Sequence, residues 1–298
     1  MYNENMVRKY IQMALDEDLA ANGDITTDSI IAENSVSEAV ALFKSDGVLA
    51  GIDFALLTFE ILARAKNCAS IEVLFKTEDG AVIKKGQTVL KISGPTRLIL
   101  TAERTFLNIL QRMSGIATAA RKMAAAVSGF KAKIVDTRKT TPNFRIFEKA
   151  AVRIGGAFNH RFGLFDGVLI KDNHIEAAGS IAMAVEKARA SVHHLAKIEV
   201  EVKNIDEAAL ALAAGADVIM LDNMCPAEMK KAVELIAGRA LSEASGGIDE
   251  NSAAAVAACG VDLISSGAIT HSAPPMDISL KIIKTARRKD RERISDEQ

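Results

Sequence analysis

The chain has 298 residues, enough for one large domain or two of ordinary size. Its 37 Lys and Arg residues nearly balance 38 Asp and Glu residues, so the composition lacks the basic excess of a general nucleic-acid binder. No apolar run reaches the roughly 20 residues that span a bilayer, and Met1–Tyr10 lacks the pattern of a signal peptide. Three cysteines stand far apart and outside any metal-binding spacing, which predicts a reduced, cytoplasmic protein without a structural zinc site.

The first part of the chain predicts a mixed domain of helices and strands. A helical pattern covers Met6–Leu15, and strand-like runs follow at 38–44 and 71–76. The segment 82–92 alternates in hydropathy on both sides of Gly86, as a β-hairpin does. Small and apolar residues at steps of three and four then predict a helix over 95–126.

From residue 133 onward, short apolar runs alternate with Ala-rich helical patterns. This alternation is typical of βα units and a parallel sheet. The predicted strands are Ala132–Val135, Val168–Ile170, Ile198–Val200, Val218–Leu221, Ala240–Leu241 and Val261–Ile264. Six units fall short of the eight in a full TIM barrel, and no G-x-G-x-x-G motif follows a strand. We therefore expect an α/β protein with an open, incomplete TIM-like barrel.

These patterns predict two domains. An N-terminal α/β domain covers residues 1–112, and the barrel covers residues 113–274. A C-terminal helix over 275–298, charged towards its end, is expected to pack back on the first domain.

Side chains at the carboxyl ends of barrel strands converge on one mouth, where barrel enzymes place their active sites. The cations at or near these ends are Arg138, Lys139, Arg161 and Lys171, with His160 beside them. Confining several like charges in a cleft is costly unless a counter-charge is present. The acidic residues nearby are too few to pair with all of them, so the pattern indicates a site for a highly anionic small molecule.

Two carboxylates and two glycine loops complete this predicted mouth. Glu201 and Asp222 follow successive strands and suit either Mg²⁺ bound to a diphosphate or a ribose that becomes cationic as a leaving group departs. Ser245–Gly247 and Ser266–Gly267 follow the last two strands. Many barrels bind phosphate there through main-chain N–H groups.

The same residues stand in motifs that resemble quinolinate phosphoribosyltransferases, also called carboxylating nicotinate-nucleotide pyrophosphorylases. The motifs are collinear and extend over nearly the whole chain: Glu17–Asp18, Gly23–Thr27, Glu103–Arg104, Asn108, Gln111–Thr118, Asp136–Pro142, Asn159–Arg161, Gly163–Leu164, Leu169–His174, Glu199–Val202, Leu221–Met224, Glu243–Ile248 and Gly267–Ser272.

The resemblance implies an N-terminal α/β sandwich, an open α/β barrel and a homodimer or higher homo-oligomer. It implies transfer of a phosphoribosyl group from phosphoribosyl diphosphate to quinolinate with loss of CO₂, for NAD biosynthesis, with Mg²⁺ and without an organic cofactor. No nucleic acid or membrane partner is implied.

Roles follow residue by residue from the matching motifs. Arg138, His160, Arg161 and Lys171 would hold the quinolinate carboxylates with Thr137 nearby, and Arg104 would reach the site from a neighbouring subunit. Lys139, Lys171, Glu201 and Asp222 would be catalytic, and the two acids would also hold Mg²⁺ through water and diphosphate. The 5′-phosphate would bind Ser245, Gly246, Gly247, Ser266, Gly267 and Ala268.

Four positions depart from the family pattern: Asn143, Ala150, Ala157 and Ser266. None removes a charged contact, so the departures bear on turnover rate more than on the type of reaction.

Three other functions are compatible with parts of the pattern. A relative of the type encoded near molybdate-transport genes would share the scaffold but use a different acceptor. An aldolase-like barrel would use Lys171 as a Schiff-base lysine, which requires a dry pocket. A phosphoribosyl-diphosphate sensor or scaffold protein would have no need of Glu201 and Asp222, both of which are present.

Overall fold

The computed structural model describes residues 3–287, and the chain divides into two compact units. The first comprises the described parts of Met1–Thr118, Pro142–Gly155 and Pro274–Gln298. The second comprises Ala119–Thr141 and Gly156–Ala273. Each unit is thus built from separate chain segments. The sequence suggested boundaries after residues 112 and 274, with the end of the chain returning to the first domain.

The first unit combines an antiparallel sheet with helices. Its helices are α1 (Glu4–Leu19), α2 (Ile25–Ile30), α3 (Ile52–Ala65), α4 (Thr96–Ala126, whose last residues belong to the second unit) and α5 (Arg145–Ile154). Its strands are β1 (Ser35–Phe43), β2 (Gly47–Val48), β3 (Glu72–Lys76), β4 (Val82–Ile83), β5 (Thr88–Pro95) and β12 (Ile278–Arg287). The predicted first helix, the strand-like runs and the helix over 95–126 are confirmed.

The main sheet of this unit has the strand order β12–β1–β5–β3, and all its pairings are antiparallel. Strand β1 alternates as a half-buried strand should, with Ala39, Ala41 and Phe43 fully buried. Helices α3 and α4 meet through the rings of Phe59 and Phe106, whose centroids lie 5.1 Å apart.

Two predictions for this unit are wrong. Strand β4 does not form a hairpin with the following strand, because it pairs with β2 while β5 pairs with β1 and β3. The expected helix over 275–298 is a strand over Ile278–Arg287, which pairs antiparallel with β1. Ile278 and Leu280 alternate with polar residues and are buried, a period-two pattern that the charged end of the chain obscured. Residues 288–298 lie outside the described residues.

The second unit carries a parallel sheet flanked by helices. Its strands are β6 (Lys133–Val135), β7 (Val168–Ile170), β8 (Ile198–Val202), β9 (Val218–Asp222), β10 (Leu241–Ser245) and β11 (Leu263–Ser265). Its helices are α6 (Asp172–Ala178), α7 (Ile181–Ser191), α8 (Ile205–Ala213), α9 (Pro226–Ile236), α10 (Ala253–Ala257) and α11 (Ala268–His271).

The order β6–β11–β10–β9–β8–β7 leaves β6 and β7 as the two edges, so the predicted open sheet of six parallel strands is confirmed. All six predicted strands are present. The largest difference between a predicted and an observed strand is in β10, which was predicted over Ala240–Leu241. The observed strand continues to Ser245, and Glu243 within it is buried. No helix within residues 3–287 combines the length and apolar character needed to cross a membrane.

Candidate active site

The predicted site residues of the second unit line one cavity of about 770 Å³. It opens where β8, β9, β10 and β11 end, at Glu201, Asp222, Ser245 and Ser265. Every site residue predicted from the sequence lines this cavity except Arg104. The predicted residues that line it are Thr137, Arg138, Lys139, His160, Arg161, Lys171, Glu201, Asp222, Ser245, Gly246, Gly247, Ser266, Gly267 and Ala268. Residues more than 130 positions apart in the chain are thus brought to one place by the parallel sheet.

Arg104 is the exception. It is exposed on α4, in the part of that helix that belongs to the first unit. The Arg104 side chain is therefore accessible to a second molecule, and its role in a neighbouring site stays a prediction.

The cavity is electropositive on one side. Burial lowers the pKa of the Arg161 guanidinium, and the charge of nearby Arg138 lowers it further. Among the described residues, neither Arg161 nor Lys139 forms a salt bridge with a carboxylate. An anion bound between these groups would relieve the repulsion, as the sequence analysis anticipated.

Lys171 is held differently from the other cations. Its Nζ donates a hydrogen bond to Glu201 Oε2 in a close ion pair, and its side chain is 46% exposed. This environment is the opposite of the dry pocket that a Schiff-base lysine requires, so the structure does not favour the aldolase-like alternative.

The two carboxylates end adjacent strands. Glu201 on β8 is paired in register with Met220 of β9, and Asp222 ends β9 two residues later. Asp222 Oδ2 accepts a hydrogen bond of 2.9 Å from the side-chain amide of Asn223. Both acids therefore face the cavity from neighbouring positions of the sheet, with hard oxygen atoms available to a bound group.

The first glycine loop adopts backbone conformations that admit few other residues, whereas Gly267 of the second loop has an ordinary φ of −73°. Gly246 and Gly247 have φ angles of +104° and +61°, in the region that glycine populates without a Cβ penalty. A Cβ at Gly246 would lie 2.2 Å from Asn223 Oδ1, and one at Gly267 would lie 3.0 Å from Lys139 Cδ. The main chain at both loops therefore approaches the cavity closely, as phosphate binding requires.

Ser266 is already engaged inside the protein. Its hydroxyl donates to the carbonyl of Ile248 at 2.7 Å, and its main-chain N–H donates to the carbonyl of Val135 at 3.1 Å. Ser266 therefore ties two loops of the unit together, and the donors of the second glycine loop come from the residues after it.

The three other departures from the family pattern are an asparagine with a positive φ and two buried alanines. Asn143 has a φ of +61°, a conformation that asparagine tolerates better than most residues. Ala150 and Ala157 are both buried, where a small side chain fits a close-packed interior. None of the three lines the cavity.

The segment Asn159–Arg161 is fixed by a buried acid. Asp136, at the end of β6, is fully buried and accepts hydrogen bonds from Asn159 Nδ2 at 2.7 Å and the His160 main-chain N–H at 2.8 Å. Arg161 Nη1 donates to the carbonyl of Gly167 at 2.8 Å. The loop that carries His160 and Arg161 is therefore held at both ends.

Several residues at this site had no role in the sequence prediction. Asn223, Asp249 and His271 line the cavity, and two buried acids, Glu199 and Glu243, lie close to His160. The available signal was the alternation of Glu199 with Glu201, which places both side chains on one face of β8. A charged residue inside an apolar strand, such as Glu243, is also unusual enough to mark a special position.

Comparison with known proteins agrees with the geometry. Residues 24–114 match the family described as "Quinolinate phosphoribosyl transferase, N-terminal domain", and residues 116–281 match its C-terminal domain. A relative from Bacillus subtilis (strain 168), named "Probable nicotinate-nucleotide pyrophosphorylase [carboxylating]", is 41% identical over 280 residues, covering 94% of each chain. The "Nicotinate-nucleotide pyrophosphorylase [carboxylating]" of Mycobacterium leprae (strain TN) is 42% identical over 278 residues, 92% of this chain and 96% of its own.

A solved structure shares the fold over nearly the whole length. The nicotinate-nucleotide pyrophosphorylase from Francisella tularensis has a TM-score of 0.87 and 41% identity, covering 95% of this chain and 98% of its own. The two family domains together account for most of the chain. The chain therefore belongs to the quinolinate phosphoribosyl transferase family.

Proposed function

We propose that this protein transfers the phosphoribosyl group of phosphoribosyl diphosphate to the ring nitrogen of quinolinate, with loss of the 2-carboxylate. The products are nicotinate mononucleotide, diphosphate and CO₂, which places the reaction in NAD biosynthesis. The observation that carries the proposal is the convergence of four cations, two carboxylates and two glycine loops on one cavity, in a chain whose family and relatives bear this activity in their names.

Quinolinate has two adjacent carboxylates, which match the cationic side of the cavity. Arg138 and Arg161 hold these carboxylates with the planar, bidentate geometry that guanidinium groups offer, and Lys171 adds a third positive charge. A charge-assisted contact of this kind contributes about 1.5–3 kcal/mol, so two or three of them suffice for specific binding.

Glu201 and Asp222 face the ribose. As diphosphate leaves, the anomeric carbon gains positive charge, and nearby fixed carboxylates stabilise that charge in the transition state. Lys171 holds Glu201 in place through their ion pair. Lys139 faces the departing diphosphate, and the main-chain N–H groups of Gly246–Gly247 and Gly267–Ala268 hold the 5′-phosphate.

Decarboxylation follows from the substrate's own chemistry. After transfer, the ring nitrogen is cationic, so the electron pair of the breaking C2–CO₂ bond stays on C2, where the adjacent positive charge stabilises it. This pair at C2 then binds a proton. The substrate is its own electron sink, so the proposed reaction uses no organic cofactor.

Mg²⁺ is part of the proposal. Mg²⁺ is usually held by one or two carboxylates together with substrate phosphates and water, and Glu201 and Asp222 offer oxygen atoms from adjacent strands. Glu201 is paired with the positive charge of Lys171, whereas Asp222 accepts, among the described residues, only a neutral amide N–H from Asn223, so Asp222 keeps more of its negative charge for a metal. When bound, Mg²⁺ would neutralise charge on the leaving diphosphate.

The direct test mixes purified protein with quinolinate, phosphoribosyl diphosphate and Mg²⁺, and measures nicotinate mononucleotide and CO₂. Equal amounts of both products are expected. Arg138→Ala and Lys171→Ala should each lower kcat/KM for quinolinate by about tenfold or more, whereas Lys230→Ala, on the exposed face of α9, should leave it unchanged. Absence of nicotinate mononucleotide, or its formation without CO₂, would contradict the proposed reaction.

We also propose that the protein acts as a homodimer or higher homo-oligomer in which Arg104 completes the neighbouring site, and that it works in the cytoplasm. Arg104→Ala and Lys171→Ala subunits, each expected to have lost most of its activity alone, should regain about a quarter of wild-type activity when mixed and reassembled as dimers. The gain arises because half of the dimers are mixed, and each mixed dimer has one intact site. No gain on mixing would place Arg104 outside the neighbouring site.

A further inference from the structure

Two buried carboxylates lie beside the cavity and have no part in the proposed reaction. Glu199 on β8 and Glu243 on β10 are only 6% and 1% exposed. Strand β9 lies between β8 and β10, and alternate strands of an α/β barrel contribute side chains to the same interior layer. The Oε1 atoms of Glu199 and Glu243 have no hydrogen-bond partner among the described residues. Because burying carboxylates is costly, this arrangement requires an explanation.

Both carboxylates lie near His160. Its Nε2 is 2.9 Å from Glu199 Oε2 and 3.7 Å from Glu243 Oε1. Its Nδ1 is 2.8 Å from the main-chain nitrogen of Arg161, which points its N–H at the ring. A main-chain N–H is always a donor, so Nδ1 must be an acceptor and carries no proton. The ring proton is therefore on Nε2, where it is donated to Glu199.

This proton placement leaves His160 neutral, with both ring nitrogens used inside the protein. A cationic ring that binds a substrate carboxylate would need a proton on Nδ1, which would break the bond from the Arg161 N–H. The cations that face the cavity are thus the neighbouring arginines and lysines, and the imidazole has a different task.

The three side chains also have the composition of a metal site, since their ligand atoms lie within 4.8 Å of one another. The hydrogen bonding argues against a metal. A metal-bound histidine normally donates its second ring N–H to a neighbouring acceptor. Here the second nitrogen accepts instead, so coordination through Nε2 would leave the ring without a proton. A proton between His160 and Glu199 fits the geometry better than a cation.

We propose that Glu199, with Glu243 beside it, positions His160 as the neutral Nε2–H tautomer, and that His160 serves quinolinate binding by holding the Arg161 main chain. The role of His160 is then indirect, and Glu199 and Glu243 are further positioning residues. Asp136 fixes the start of the same segment through Asn159 and the His160 N–H. Burial and the charge of Glu199 raise the pKa of Glu243 to about 7, so its carboxyl is protonated below neutrality.

The proton placement can be tested without reference to activity. In the full-length protein with ¹⁵N-labelled histidine, nuclear magnetic resonance should report His160 as the Nε2–H tautomer near neutral pH. Glu199→Leu should alter this signal, whereas Glu234→Gln, an exposed carboxylate on α9, should leave it as in the wild type. A protonated Nδ1 in the wild-type protein would overturn the proposal, whatever the protein's activity.

The positioning role rests on the proposed function and is tested by kinetics. Glu199→Leu removes the carboxylate that accepts the His160 Nε2–H and should raise KM for quinolinate about tenfold, equivalent to about 1.4 kcal/mol. KM for phosphoribosyl diphosphate should not change. Glu199→Gln retains an acceptor oxygen and should restore most of the loss, which also covers the case in which the leucine variant fails to fold.

Variants of His160 separate positioning from direct binding. In His160→Asn the side-chain oxygen can take the place of Nδ1 and accept the Arg161 N–H, so this variant should keep KM for quinolinate well below that of His160→Ala. Equal losses in the two variants would indicate direct substrate contact and overturn the proposal. If the wild type forms no nicotinate mononucleotide, the proposed function fails, while the tautomer of His160 still decides whether Glu199 positions the ring.

Discussion

Replacing Glu243 with glutamine should change how the stability of the protein depends on pH. The pKa of Glu243 rises from 4.5 to about 7, first because the side chain is buried and then because Glu199 is negatively charged. Between these values the folded protein holds a proton that the unfolded chain has released. The free energy of unfolding therefore falls as pH rises from about 4.5 to about 7. The penalty is absent below this window and fully present above it.

The size of the effect follows from the two pKa values. A folded value of about 7 against 4.5 corresponds to a penalty on the order of 3 kcal/mol above neutrality, at 1.36 kcal/mol per tenfold change in proton affinity. Glutamine has nearly the same shape and cannot ionise, so Glu243→Gln removes this dependence. Any cost of burying the new amide group is the same at every pH and does not affect the comparison.

Urea-induced unfolding of the wild type and of Glu243→Gln at about pH 5 and about pH 8 measures the difference. The stability of the variant relative to the wild type should increase by roughly 2 to 3 kcal/mol between the two conditions. Glu234→Gln, at an exposed position, is the control and should show no such change. If Glu243→Gln differs from the wild type by the same amount at both pH values, Glu243 does not titrate as argued.

Three further predictions test other parts of the structure. Gly246→Ala should raise KM for phosphoribosyl diphosphate far more than Gly247→Ala does. A Cβ at Gly246 would lie 2.2 Å from Asn223, whereas one at Gly247 meets nothing within 4 Å. Equal increases in KM for the two variants would show that backbone strain alone matters. Asp79→Ala should lower the free energy of unfolding by about 1–3 kcal/mol, since Asp79 accepts the first main-chain N–H groups of α3, without changing KM for either substrate. Asp222→Asn should raise the Mg²⁺ concentration needed for half-maximal activity, and an unchanged Mg²⁺ titration would place the metal elsewhere.

Much of the candidate site could be predicted from the sequence because parallel strands end at a common edge. Glu201, Asp222 and Ser245 lie at the carboxyl ends of their strands, so they face one cavity whatever the details of the intervening helices. The repeat of strand and helix was equally readable, since buried strands of a parallel sheet are short apolar runs. Local pattern and a general rule of barrel geometry were sufficient for these features.

Other features depend on partners that are distant in the chain. Strand β12 joins β1 across more than 230 residues, and β4 selects β2 instead of its neighbour β5. Local alternation identifies a strand but does not identify the strand it pairs with, because the pairing energy comes from the completed sheet. The same limit explains why a charged chain end suggested a helix at a position where the sheet requires an edge strand.

The cluster around His160 shows most clearly which features the sequence determines and which depend on the tertiary structure. The sequence by itself determined that His160 and Arg161 lie near the strand ends and that a dense group of cations gathers there. Only the tertiary structure decided that Glu199 and Glu243 lie within 4.8 Å of the ring, and that the Arg161 N–H points at Nδ1. The reason is physical: the proton of an imidazole is placed by the donors and acceptors around it, and here they come from three separate strands and loops of the folded barrel.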